Sequence, residues 1–222
     1  LTEMAEEISW GNMEAKIGVA EGRNEIGRLA SAFNSMSTKL KESHDALEQR
    51  ITEHTRAILL CNPHNPTGRV LRVDELRRIG DLAIAHDLVI INDEVWSDII
   101  LGDVEMTSIA SLSPEIAERT ITVSGFSKSY GLAGLRIGYG VGDPEFVAAL
   151  EKVRQPFNIN AMAQAAALAA LGDERHLAES RDQNRKGSIF MGILFKHSGI
   201  EYRRSHANFL LVKVPDGAKV AG

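Results

Sequence analysis

The sequence predicts an α/β protein, with a mostly parallel sheet and flanking helices, preceded by a separate helical segment. Three observations carry this. Continuous apolar runs at residues 57–60, 88–91, 120–123 and 137–141 mostly end in turn or charged residues, as strands buried on both faces do. Between the first two runs, Asp74 to Asp87 has Leu76, Ile79, Leu82 and Ala83 at helical spacing, and strands alternating with helices imply βαβ units. Residues 1–56 have helical periodicity only.

In chain order, Leu1, Met4, Ala5 and Ile8 form a first helical stripe, broken at Trp10-Gly11-Asn12. After an irregular stretch, a second run follows: Leu29, Phe33, Met36, Leu40, His44, Leu47 and Ile51. Steps of three and four are the seam of a coiled coil, and two consecutive steps of four near Leu40 resemble a stutter. Such stripes need a partner chain to bury them. No Pro/Gly/Ser linker separates this coil from Ala57, so the coil is expected to run directly into the first strand. Beyond the sheet runs, Ala161 to Leu171 reads as a packed helix, too short for the roughly 20 residues that span a bilayer.

Hydrophobic residues make up 44% of the 222 and charged residues 25%, enough for a sizeable core. A net charge of −5 without a polybasic block argues against nucleic acid as a partner. There is no apolar run of membrane-spanning length and no signal peptide. Cys61 is the single cysteine. No disulfide within the chain and no cysteine-based metal site can form, which fits a reducing, cytoplasmic compartment, and Cys61 reads as a small buried hydrophobe. The seven histidines lack metal-ligand spacing, so no metal site is expected. The chain opens on Leu1 rather than Met, which suggests a start inside a longer protein.

Ligands on such sheets bind at the carboxyl ends of the strands, and the polar clusters lie there. Asn62-Pro63-His64-Asn65-Pro66-Thr67-Gly68-Arg69 follows the first run and is a rigid turn. Asp93 ends the second; by itself it reads as a solvated or helix-capping carboxylate. Trp96 stands three residues on and reads equally as packing or as an N–H donor. The third run leads into Ser124-Gly125-Phe126-Ser127-Lys128-Ser129-Tyr130-Gly131, and on through Gly134 and Arg136 to Gly138. Small residues before Lys128 let its amine reach into a tight site. Arg136 offers a fork suited to a phosphate dianion, and Ser127 a hydroxyl.

These motifs resemble those of class I/II aminotransferases of fold type I, a family dependent on pyridoxal 5′-phosphate (PLP). Residues 57–222 look like a partial PLP-transferase-like large domain (57–200), followed by the start of a small domain (201–222). The resemblance implies amino-group transfer between an amino acid and a 2-oxo acid, at a homodimer interface. Lys128 is then the catalytic lysine, joined to the cofactor as a Schiff base. Asn65 meets the phenolic oxygen, Asp93 the pyridinium nitrogen, and Ser127 and Arg136 the phosphate. Trp96 replaces the Tyr of many relatives and joins the cofactor-binding set. Arg154 to Asn160 and Ser205 to Leu210 resemble histidinol-phosphate-type enzymes, whereas Glu94 to Ile100 and Ala110 to Ser113 resemble the cystathionine β-lyase branch. A PLP-dependent C–S β-lyase is therefore the alternative on the same scaffold.

Asn24-Glu25-Ile26-Gly27-Arg28-Leu29, with Gly11-Asn12-Met13, resembles the HAMP linker of bacterial membrane receptors. That implies a 1–56 signalling module, a membrane-associated protein and an upstream transmembrane segment. Side by side, the two resemblances suggest a truncated or chimeric chain.

Overall fold

The computed structural model describes residues 31, 34, 35, 38, 42, 45–215 and 217. The first helical stripe, the HAMP-like motif and most of the expected coil lie outside the described residues. Those described before residue 49 are helical. Helix and first strand are not continuous. The chain turns at Gln49–Arg50 and runs irregularly to Arg56. Thr52 and Thr55 explain the stop: the Thr55 hydroxyl accepts from Thr52 N at 3.0 Å, and short hydroxyl side chains bonding to nearby backbone compete with the helix. Ile51, read as the end of the coiled-coil seam, packs instead on the α/β core.

The four apolar runs form one sheet: β1 (Ala57–Cys61), β2 (Val89–Asp93), β3 (Thr120–Gly125) and β4 (Gly138–Val141), in that spatial order. β1, β2 and β3 are parallel, and β4 pairs antiparallel with β3. Between β1 and β2 lies α1 (Val73–Ala85), its first turn carrying Asp74 and Glu75, where the helix dipole favours acids. α2 (Pro114–Glu118) precedes β3, with Pro114 in its first turn and Ser113 capping Ile116 N. α3 (Phe126–Ser129) follows β3 without a break.

The core is a cluster of Leu60, Leu76, Ala83, Leu88, Ile90, Ile109 and Ile116. It lies between α1, α2 and the sheet face carrying Leu60 and Ile90. Each large apolar side chain there contributes about 1.5–3 kcal/mol by leaving water. Burial on both faces, expected from the unbroken apolar runs, is not what the strands show. Alternate residues differ: Ile90 is fully buried while Leu59 is 79% exposed, and β4 is exposed throughout. The buried cluster gathers on the face that carries Leu60 and Ile90, while Leu59 on the other face stands exposed.

Three helices follow: α4 (Pro144–Val153), α5 (Ala161–Leu171) and α6 (Glu174–His197). Asp143, Asn160 and Asp173 cap them through their side chains. α5 is seated by the small residues Ala163 and Ala167, with Met162, Leu168 and Leu171 exposed. β5 (Tyr202–Arg203) and β6 (Leu211–Val212) form a separate two-stranded sheet. No described helix is long and apolar enough to cross a membrane.

Candidate active site

Strand register brings the candidate residues to one end of the sheet. Cys61, at the carboxyl end of β1, pairs with Asp93 of β2, and Asp93 pairs with Val123 of β3. Asn65 is four residues past Cys61, Lys128 five past Val123, and Arg136 two before β4 begins. Gly125 and Gly138 stand opposite each other where the lysine loop leaves and rejoins the sheet. A Cβ on Gly138 would lie 2.7 Å from the Ser124 carbonyl oxygen, so only glycine lets the loop close this tightly.

The turn after β1 is held from both sides. Asn62 is buried; its N–H donates to the Asp93 carbonyl at 3.0 Å, and its Oδ1 accepts from Leu71 N at 2.9 Å. At Gly68, φ is +65° and a Cβ would collide with the Ser205 side chain. His206 explains this approach: its N–H donates to the Gly68 carbonyl at 2.7 Å, and its own carbonyl accepts from Leu101 N at 2.8 Å. Residues 205–209 thus thread between the loop after β1 and the loop after β2.

Trp96 is the junction of these parts. It is 8% exposed, its ring stands edge-on to Phe209 with centroids 5.4 Å apart, and Lys128 Nζ lies 4.8 Å from its centroid, within range of a cation–π contact. Its indole N–H donates to Asn208 Oδ1 at 3.0 Å. Tryptophan has one donor and no acceptor, so this bond engages the whole hydrogen-bonding capacity of the Trp96 side chain. The sequence allows Trp96 to be a packing aromatic or an N–H donor in the cofactor-binding set; here its ring packs against Phe209 beside Lys128 and its N–H is engaged by Asn208. Sequence reasoning assigned no role to Asn208, whose partner is 112 residues away.

The other candidates keep unused polar groups. Asp93 Oδ1 caps the turn by accepting from Val95 N at 3.0 Å, and Oδ2 has no partner among the described residues. Arg136, exposed and left-handed at φ 51°, donates Nη1 to the Ala133 carbonyl at 2.9 Å and leaves Nε and Nη2 unengaged. The side chains of Asn65 and Ser127 make no hydrogen bond among the described residues, and the Lys128 amine has no carboxylate beside it. One carboxylate oxygen, one amine, one amide, one hydroxyl and a half-free guanidinium therefore sit at a single sheet end. That donor set suits a ligand with a ring nitrogen, an aldehyde, a phenolic oxygen and a phosphate, and pyridoxal phosphate fits it.

Cys61 is part-buried rather than buried, and its thiol donates to the Pro63 carbonyl at 3.4 Å. Burial pushes this thiol's pKa up, the Asn65 backbone N–H lowers it in part, and Asp93 adds to the rise. A cavity of about 450 Å³ lies between α6 and residues 208–210; it is lined in part by Gln183, Met191, Asn208 and Phe209 and by none of the sequence candidates. Among the described residues no group of His, Cys, Asp and Glu is placed to hold a metal ion.

Comparison with known proteins gives the same direction. The sequence matches the family described as aminotransferase class I and II over residues 6–221, a span that takes in most of the segment read as HAMP-like. It is 40% identical over 174 residues to histidinol-phosphate aminotransferase of Moorella thermoacetica, covering 77% of this chain and 44% of that protein. It is 41% identical over 178 residues to histidinol-phosphate aminotransferase 2 of Ralstonia nicotianae, covering 78% and 46%. The chain thus spans about half the length of these curated relatives. Its structure is similar to that of N-succinyldiaminopimelate aminotransferase from Mycobacterium tuberculosis, with a TM-score of 0.69 at 30% identity, covering 74% of this chain and 43% of that one.

Proposed function

Since the chain belongs to the class I and II aminotransferases, we propose that it holds pyridoxal phosphate through Lys128 and serves amino-group transfer from histidinol phosphate to a 2-oxo acid. The cofactor is that of the family. The substrate follows the names of the curated relatives. The observation that carries the reading is the set of unengaged polar groups at one sheet end, on the residues that match the family motif.

In this reading Lys128 Nζ would hold the cofactor at its aldehyde carbon and, once the substrate's amine has freed it, would carry the proton from the substrate's Cα to that carbon. Asp93 Oδ2 keeps the ring nitrogen protonated, Asn65 Nδ2 donates to the phenolic oxygen, and Arg136 Nε and Nη2 with the Ser127 hydroxyl hold the phosphate. Bound there, the cofactor would supply an electron sink for the electrons left when the proton leaves Cα. Trp96 limits the space through which the lysine amine swings.

The same reading keeps the large-domain part at 57–200 and the opening of the small domain at 201–222. Supporting this, β1 begins at Ala57, α6 ends at His197, and β5 and β6 form their own sheet. It also includes a homodimer, as is typical of the family. The finer division that sets 1–56 apart as a HAMP-like linker rests on sequence resemblance alone.

The test is product analysis on the purified chain with PLP. Incubation with histidinol phosphate and 2-oxoglutarate is expected to yield glutamate. Ammonia and pyruvate released from cystathionine, without glutamate in the first assay, would replace transfer by β-elimination. No reaction with any amino donor would overturn the activity.

A further inference from the structure

Ser129, next to Lys128, is 1% exposed, and its hydroxyl donates to Asp98 Oδ2 at 2.9 Å. The pair joins two loops of the site: Ser129 ends α3 after β3, and Asp98 stands five residues past the end of β2. Asp98 is itself anchored, because its carbonyl accepts from Arg181 Nε of α6 at 2.6 Å. Tyr130 lies close by. Burial and then the Asp98 charge are the leading causes that push its phenol's pKa up.

α3 is four residues long, too short to hold its own orientation. Successive helical residues are roughly 100° apart around the axis, so Ser129 faces inward while Lys128 is exposed. Any rotation that frees Ser129 swings Lys128 by the same angle. A hydrogen bond to a carboxylate is among the stronger ones available, and this one fixes the rotation of α3.

We propose that Asp98 is a positioning residue for Lys128: through the Ser129 hydroxyl it sets the direction from which the lysine amine reaches the cofactor. This rests on the function proposed above and goes beyond it, since neither Asp98 nor Ser129 is assigned a contact with cofactor or substrate.

The test uses the full chain with Ser129→Ala, Asp98→Ala and the hydroxyl-retaining Ser129→Thr. One arm titrates PLP and follows the absorbance of the lysine-bound cofactor, including its pH midpoint. The other arm measures amide hydrogen exchange over residues 126–130 without PLP. Ser129→Ala and Asp98→Ala are each expected to weaken PLP binding about tenfold and to displace the pH midpoint. The double variant should be no worse than either single one, and Ser129→Thr should restore both values. Exchange should quicken over 126–130 and stay unchanged over 57–61. Wild-type affinity and pH midpoint in Ser129→Ala, or a loss that Ser129→Thr leaves in place, would overturn the positioning role. If the wild-type chain forms no lysine-bound cofactor, the proposed function fails by itself; unchanged exchange in both variants then refutes the tie between Asp98 and α3.

Discussion

The indole nitrogen of Trp96 donates to Asn208 Oδ1 across 3.0 Å, joining the loop after β2 to the segment before β6. Because the same ring faces Lys128 Nζ at 4.8 Å, Trp96 links the position of residues 205–209 to that of the Lys128 amine. Asn208→Ala leaves a buried N–H without a partner, which costs about 1–3 kcal/mol. Urea denaturation should show the midpoint falling. Trp96→Tyr should also lose the bond, since the phenol hydroxyl lies elsewhere than the indole nitrogen. An unchanged midpoint in Asn208→Ala would mean the bond contributes nothing.

Gly68 sets how closely residues 205–206 approach the loop after β1. Gly68→Ala is expected to cost about 3 kcal/mol, from roughly 1–2 for the left-handed backbone and roughly 1–3 for overpacking against Ser205. The loss would appear in thermal unfolding. Arg69→Ala, one residue on and exposed, should cost far less, which separates backbone strain from general loop sensitivity.

Cys61 gives a pH dependence of defined sign. Its thiol pKa is raised in the fold, chiefly by burial, so the folded chain holds a proton that the unfolded chain releases sooner. This contribution to stability is fully present below the ordinary thiol pKa and is lost as pH rises from that value through the raised one. Cys61→Ser should flatten that alkaline decline. As the single cysteine, Cys61 should also react with a disulfide reagent at a higher pH midpoint in the native chain than in urea.

Asp93→Asn preserves the side-chain oxygen that accepts from Val95 N and removes the charge. Folding should be nearly unchanged, while turnover falls on the order of 10²-fold, as when a preorganised electrostatic contact is removed. Circular dichroism and the transfer assay together check this. A variant with ordinary turnover would take Asp93 out of the site.

The parts legible in the sequence were those with local signals. Runs rich in apolar and β-branched residues mark all four strands, and the spacing of Leu76, Ile79, Leu82 and Ala83 marks α1 to within two residues of its ends. The lysine loop was legible because its glycines, hydroxyls and arginine occur in a fixed order. Contacts between distant residues were not: Trp96 with Asn208 and Asp98 with Ser129 are 112 and 31 residues apart, and no local pattern encodes them. Apolar spacing does not carry the stop before β1, because Thr52 and Thr55 act there through their hydroxyls. The exposed sheet face was missed for another reason. Apolarity records what a strand can bury, and Leu59, 79% exposed, has no cover among the described residues.

The most direct measurement is the site of covalent attachment. The purified chain is incubated with pyridoxal phosphate, reduced with borohydride, digested and mapped by mass spectrometry. A single pyridoxyl adduct on Lys128, lost in Lys128→Ala and weakened in Arg136→Ala, is the predicted result. An adduct spread over other lysines, with Lys128 labelled no more than they are, would contradict it.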